Sequence, residues 1–185
     1  MAILVKNKNL SKLIISALFL AIGIILPFLT GQIKEIGDTL LPMHIPVMLC
    51  GLLCGWQYGF TVGFMMPFLR SLLFSMPPIY PNAVWMAFEL SAYGFVIGFL
   101  YARSKKKRIG YLYFCLISAM VVGRIIWGIV KSILFGIGNK AFTITAFITG
   151  AFLDAIPGII LQLILIPLIM NVIHNIQLRN GKGDM

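Results

Sequence analysis

The sequence predicts an all-α integral membrane protein, a bundle of six transmembrane helices with both termini on the cytoplasmic side. The chain has 185 residues, of which 60% are hydrophobic and only 11% are charged. Soluble domains are about half apolar and about a quarter charged. The apolar residues are spread along the whole length, and a helical span needs about 20 of them. Six spans account for nearly the entire chain, which excludes a soluble domain and a soluble enzyme with one anchor.

Six apolar segments define the predicted spans, which together form one domain of residues 1–185. The first follows a lysine-rich start but has no small-residue cleavage site before Pro27, so we interpret it as a retained helix. A proline-rich loop at residues 75–81 separates the third and fourth spans. A kink is expected in the sixth span near Pro157 or Pro167. The spans are residues 10–29, 43–54, 60–75, 82–102, 110–136 and 142–177.

The second span is short, and the distribution of charge supports it. Its helix would cover only about 18 Å of a core that is about 30 Å thick. With six spans, the N-terminal lysines, the basic cluster at residues 103–108 and the C-terminal Arg179 and Lys182 lie on one side. Lys34 and Lys140 then lie on the other side. Without the second span, the basic cluster would move to the side opposite the N-terminus, against the positive-inside rule.

The net charge of +10 therefore follows the membrane topology. Anionic lipid headgroups are the expected partners of the basic segments, and no nucleic-acid partner is expected.

Cys50, Cys54 and Cys115 lie inside apolar runs, where cysteine packs as a small apolar residue. No residues stand at metal-ligand spacing, so neither a metal nor another cofactor is predicted. The phosphate-binding loop of ATPases and a nucleophile–base pair are missing from the sequence, so we expect no catalysis.

Small residues recur at helical spacing in two places. Ala17 and Ala21 form an A-x-x-x-A pattern on the first span. Glycines occupy every fourth position from Gly51 to Gly63, across the turn between the second and third spans. Small residues at this spacing let two membrane helices approach closely. We expect the alanines to form a helix-docking stripe and the glycines to pack the second span against the third.

Five charged residues lie within the apolar runs, where each costs several kcal/mol on insertion scales. We expect them to face the interior, either in pairs or around a ligand. The topology places four of them in the outer half of the membrane and Arg124 near the midplane. Structural pairs such as Glu89–Arg124 or Asp154–Lys131 are the alternative to a ligand site. The five residues are Arg70, Glu89, Arg124, Lys131 and Asp154.

Aromatic residues share helix faces with these charges, around Glu89 on the fourth span and around Arg124 on the fifth. Aromatic walls with a few convergent polar groups are typical of a small-molecule pocket. His44 and Asn82, at the outer starts of the second and fourth spans, are further candidates. The predicted ligand-binding residues are therefore Arg70, Asn82, Trp85, Glu89, Tyr93, Arg124, Trp127, Lys131, Asp154 and His44.

The chain resembles the S components of energy-coupling factor (ECF) vitamin importers over roughly its whole length. The resemblance lies in the alanine pattern and in the stretches LPMHIPVMLCGLLCGWQYGF, PFLRSLLFSMPPIYPNAVWMAFELSAYG and GAFLDAIPGIILQLILIPLI. It implies a subunit of an ABC-type importer in the bacterial cytoplasmic membrane that binds a water-soluble vitamin from outside. It also implies a partner module of one ECF transmembrane subunit and two ATPase subunits, with Ala17 and Ala21 docking on the transmembrane subunit.

A vitamin B6 form is the leading substrate. A tryptophan would stack on its ring, a carboxylate would accept the ring N–H, and a cation would bind the phenolate. Pantothenate, which would use the cations but not the tryptophan wall, and cobalamin, which needs a far larger opening, are alternatives. An ion-coupled secondary transporter is a different class, and it would show an inverted repeat and broken helices. A purely structural membrane subunit would not need the buried charges.

Overall fold

The computed structural model describes residues 8–30, 40–103, 108–137 and 155–181. In these ranges the regular secondary structure is helical, without strands, which confirms the all-α class. Each α-helix overlaps one predicted span, and residues 142–154 of the sixth span lie outside the described ranges. The six helices are α1 (Lys8–Ile25), α2 (His44–Cys54), α3 (Trp56–Phe74), α4 (Val84–Arg103), α5 (Ile109–Ile137) and α6 (Ile156–Gly181).

Two short helical segments contain prolines and extend the longer helices. The 3-10 helix Leu26–Thr30 continues α1, and the turn Ile79–Ala83 leads into α4. The backbone of Tyr80 is not helical, so this turn meets α4 across a kink. In α6, Pro157 stands in the first turn, where its missing N–H is not needed. Pro167 lies inside the same helix, which runs on to Gly181.

Four helical segments in the described ranges are long and apolar enough to cross a membrane: Asn9–Phe28, Ile79–Arg103, Ile109–Gly136 and Ile156–Ile176. The apolar helix α2 has only 11 residues, which corresponds to about 16 Å. Helix α3 has 19 residues but is less apolar, because it contains glycines and several polar side chains. That all six helices cross the membrane therefore stays a prediction.

Helix α2 lies at the centre of the bundle. Every residue of this helix except Leu53 is buried, and it contacts α1, α3, α4 and α6. A helix that is apolar on all sides is one that packs inside a protein. The short length of α2 is therefore compatible with membrane embedding, because other helices rather than lipid surround it.

Two apolar clusters flank this central helix. One joins α2, α4, α5 and α6, with Met48, Tyr93 and Ile166 among its members. The other joins α2, α3 and α4, with Val47 and Met66 among its members, and α1 packs against it. Because α2 and α4 contribute to both clusters, these two helices fix the positions of the others.

Glycines bring the backbones of α2, α3 and α4 into contact. A Cβ atom added to Gly51 would lie 2.5 Å from the carbonyl oxygen of Gly94, and one added to Gly98 would lie 2.7 Å from that of Gly51. On α3, a Cβ atom at Gly59 would lie 2.7 Å from the Cα atom of Gly51 and also 2.7 Å from the carbonyl oxygen of Gly94. The predicted close packing of the second and third spans is confirmed. Its glycines also pack on α4, a contact that the spacing did not predict.

We name Gly51, Gly59, Gly63, Gly94 and Gly98 the glycine junction. The fourth glycine of the predicted series, Gly55, lies outside it. Gly55 has a φ of 106°, and an added Cβ atom there would meet nothing within 4 Å. Its role is conformational, since glycine adopts a positive φ without steric cost.

Candidate functional site

A buried ion cluster joins α2, α4 and α5. The Oε1 atom of Glu89 lies 3.1 Å from Nη1 of Arg124 and 3.3 Å from Nε2 of His44. None of the three residues is more than 3% exposed. The predicted pair Glu89–Arg124 is thus present in the structure, and His44 adds a second partner on the same carboxylate oxygen.

Local packing holds these side chains in place. His44 is the first residue of α2, and its backbone N–H donates to the carbonyl oxygen of Leu41 at 3.1 Å. The imidazole meets the ring of Tyr93 edge to face, with ring centroids 4.8 Å apart. The Tyr93 ring in turn lies against Gly123, where an added Cβ atom would collide with it. A glycine next to Arg124 therefore lets Tyr93 pack directly on the backbone of α5.

An aromatic group surrounds Lys131 on α5. Its Nζ atom lies 4.3 Å from the ring centroid of Trp127, 5.0 Å from that of Trp85 and 5.7 Å from that of Phe135. Ammonium groups within about 6 Å of an aromatic face are attracted by its quadrupole. The structure therefore brings three predicted residues together and adds Phe135. Phe135 stands one turn from Lys131, and this helical spacing is the feature of the sequence that could have predicted its place in the group.

Trp127 links the aromatic group to the ion cluster. Its ring centroid lies 6.0 Å from Cζ of Arg124, and the residue is 7% exposed. The predicted residues His44, Glu89 and Tyr93 thus adjoin Arg124, and Trp85 and Lys131 adjoin Trp127. The result is a continuous set of charged and aromatic side chains across α2, α4 and α5.

The remaining predicted residues are Arg70, Asn82 and Asp154. Arg70 on α3 donates from Nη1 to the carbonyl oxygen of Ile24 at 2.6 Å. Its guanidinium lies 5.4 Å from the ring centroid of Phe28, so these contacts tie α3 to the end of α1. Asn82 is half-buried in the turn that leads into α4. Asp154 lies outside the described residues.

Gln162 on α6 is a buried polar residue that the predicted site did not include. Its side chain is 1% exposed. The signal in the sequence was its spacing of eight residues from Asp154, which predicts one helix face for both. Helix α6 contacts both α2 and α5, the helices that carry His44 and Arg124.

The alanine stripe lies on a different face of the protein. Ala17 and Ala21 are both exposed on α1. Ser16 and Gly23 on the same helix are buried, so the alanines face away from the bundle. Their position leaves the stripe accessible to lipid or to another helix.

Comparison with known proteins identifies a family for the sequence. The sequence matches the family described as ECF transporter, substrate-specific component, over residues 11–170. Because this match covers most of the 185 residues, the chain belongs to that family. No curated protein and no solved structure matches the chain.

Membership confirms the resemblance noted in the sequence. S components are membrane proteins that bind a transport substrate and are not themselves enzymes. They act with ECF transmembrane and ATPase modules. The ion cluster and the aromatic group are therefore to be considered as parts of a substrate-binding subunit.

Proposed function

We propose that this chain captures a small water-soluble vitamin outside a bacterial cell and delivers it through an ECF-type ABC importer in the cytoplasmic membrane. The observation that carries the proposal is the buried contact of Glu89 with both Arg124 and His44, next to the aromatic group. We propose that this set of side chains is the substrate site. The energising partners would be one ECF transmembrane subunit and two ATPase subunits.

The composition of the ion cluster favours a ligand site over a purely structural pair. Burying two opposite charges costs desolvation that their mutual attraction only partly offsets. Arg124 already neutralises Glu89, so the charge balance does not require the imidazole of His44. Trp127 lies beside Arg124, and Lys131 and Trp85 continue the set from there. This composition matches that of pockets for small molecules, which combine aromatic walls with a few polar groups.

A vitamin B6 form is our leading substrate. Glu89 would accept the ring N–H, in the way that carboxylates partner the pyridine nitrogen of this cofactor type. Arg124 or Lys131 would bind the phenolate, and Trp127 or Trp85 would stack on the ring. Pantothenate is the second candidate, because its carboxylate would use the same cations. Cobalamin is the third, and it requires a much larger opening.

The test is to identify the small molecule that co-purifies with the protein. The protein would be purified in detergent, denatured and extracted, and the extract analysed by mass spectrometry. Pyridoxine and pantothenate would then be titrated into protein freed of that molecule, with tryptophan fluorescence as the readout. A B6 form in the extract is the expected result. Pantothenate or cobalamin would contradict the B6 assignment and leave the class intact.

We further propose that all six helices cross the membrane and that both termini are cytoplasmic. In this arrangement His44 and Glu89 would lie in the outer half of the membrane and Arg124 near its midplane, where a ligand from outside would reach them. Cysteines introduced singly at Lys106, Lys34 and Lys140 would test the topology. The three native cysteines are buried, so background labelling should be low. We expect labelling from inside at position 106 and from outside at the other two; labelling of 106 and 34 from one side would contradict six spans.

A further inference from the structure

Four helices each place a buried polar residue one turn away from the same apolar cluster. The apolar residues belong to the core that joins α2, α4, α5 and α6. In every case the polar residue stands four positions along its helix, on the same face. The four pairs are His44 with Met48, Glu89 with Tyr93, Arg124 with Met120 and Gln162 with Ile166. We name the first member of each pair, His44, Glu89, Arg124 and Gln162, the polar layer.

The register on α6 shows that Gln162 faces the bundle. Gly158, Gln162 and Ile166 are buried at a spacing of four, while Ile160 and Ile164 between them are exposed. Ile166 packs in the shared cluster. Gln162 is therefore on the inward stripe of α6, one turn from a residue that contacts the core of α2, α4 and α5.

Two atoms of the polar layer, one on α2 and one on α6, have no hydrogen-bond partner within the described part of the chain and belong to no ion pair there. They are Nε2 of Gln162 and Nδ1 of His44. The two residues are only 1% and 2% exposed. Most buried polar groups in proteins are hydrogen-bonded, because leaving a buried donor or acceptor unpaired costs stability. A bound ligand would supply a partner for both atoms.

We propose that Gln162 and His44 form the neutral side of the substrate site and bind a hydroxyl group of the substrate. The charged side would be Glu89 with Arg124. If Nε2–H of His44 points to the carboxylate of Glu89, its Nδ1 is an acceptor, since a neutral imidazole has one donor and one acceptor. A hydroxyl would donate to that Nδ1 and accept from the amide of Gln162. This inference rests on the proposed site and adds to it the class of substrate, a small hydroxylated molecule.

Gln162→Met tests the inference, because methionine keeps the length of the side chain and removes its hydrogen bonds. Ser91→Ala is the matched control. Ser91 is 3% exposed, but its hydroxyl donates to the carbonyl oxygen of Phe88 in its own helix at 2.9 Å. With pyridoxine as the probe, we expect Gln162→Met to weaken binding at least ~10-fold and Ser91→Ala to change it less than about two-fold. Native affinity in Gln162→Met would overturn the inference.

The thermal stability of the ligand-free protein gives a second readout that does not depend on the probe. If the amide has no partner in the protein, Gln162→Met should leave the Tm unchanged or raise it. A fall in Tm beyond that of Ser91→Ala, or failure to fold, would mean that the amide is bonded within the protein and would overturn the inference. If pyridoxine does not bind native protein, the B6 assignment fails, and this stability measurement still decides the role of Gln162.

The mono-deoxy analogues of pyridoxine, which each lack one hydroxymethyl oxygen, test the hydroxyl itself. Native protein should bind one of them at least ~10-fold more weakly than pyridoxine. The analogue would leave the buried polar groups that bind the hydroxyl without a hydrogen-bond partner. Gln162→Met should lose most of this discrimination. Equal binding of pyridoxine and both analogues by native protein would overturn the assignment of a hydroxyl to this side.

Discussion

The glycine junction and the polar layer occupy neighbouring stretches of α4 and hold the helices together in different ways. At Gly94 and Gly98 the backbones of α2, α3 and α4 touch, and an added Cβ atom has no space. At Glu89, five residues before Gly94 on the same helix, the helices instead meet through long polar side chains. The junction leaves no room for a side chain, whereas the polar layer brings polar atoms of several helices together in the buried interior.

This difference suggests a division of labour within one bundle. Backbone contacts through glycines involve no ionisable side chain and do not depend on a ligand, so they can keep the helices in place on their own. Buried polar groups are costly when incompletely paired, and they need a scaffold that other contacts stabilise. The junction would supply that scaffold, and the polar layer would be free to bind a ligand.

The largest effect is expected from filling the junction. Gly94→Leu places a side chain against the backbone of Gly59, which cannot rotate away. Overpacking typically lowers the free energy of unfolding by about 1–3 kcal/mol. Because the neighbour here is backbone, we expect Gly94→Leu to lower it by the upper end of this range or more. We expect loss of monodisperse protein in size-exclusion chromatography and a strongly lowered Tm.

Gly110→Leu is the control for this experiment. An added Cβ atom at Gly110 meets nothing within 4 Å, so the same substitution should leave folding nearly unchanged. A native Tm in Gly94→Leu would show that the helices can separate at this point and that the junction is not the rigid part of the bundle.

An intermediate effect is expected from the polar layer, on binding more than on folding. Glu89→Ala and Arg124→Ala should each weaken binding of the co-purifying vitamin at least tens-fold, since losing a charged partner to a buried ligand costs about 2–5 kcal/mol. Isothermal titration with each purified variant measures this loss. Lowered stability with unchanged affinity would instead identify Glu89–Arg124 as a structural pair.

The double variant Glu89→Leu with Arg124→Leu separates these two interpretations. A matched apolar pair can replace a buried ion pair at little cost in stability, so the double variant should fold under both. If the pair binds the substrate, affinity must be lost. Near-native affinity in the folded double variant would end the assignment of the site.

The smallest effect on the isolated protein is expected at the alanine stripe, which belongs to neither region. Ala17→Trp and Ala21→Trp point away from the bundle, so Tm and vitamin affinity should stay at native values. Uptake by the assembled importer should be abolished, because a bulky side chain prevents close helix approach. Ile129→Trp, on the exposed face of α5, is the control for adding a ring to a lipid-facing helix. Normal uptake by the alanine variants would refute the docking role.

Much of the architecture was predictable because membrane helices are encoded locally. A span needs a run of apolar residues and little else, so the all-α class and the six helices follow from the sequence. Burial of charge in lipid is so costly that the sequence alone predicted inward-facing charges, either around a ligand or in pairs, and Glu89–Arg124 was one of the pairs considered. Their role in binding, like that of the other candidate residues, stays a prediction.

Which side chains meet was decided by the packing of the helices. Helical spacing assigns a face to a residue but not the helix that lies opposite. The glycines from Gly51 to Gly63 were therefore expected to join two helices, and the structure adds α4 as a third partner. The same holds for Arg70. The cost of exposing a charge to lipid predicts that it faces inward, but its partner, the carbonyl oxygen of Ile24, is known only from the structure. Gln162 gains its place in the polar layer only because α6 packs against both α2 and α5.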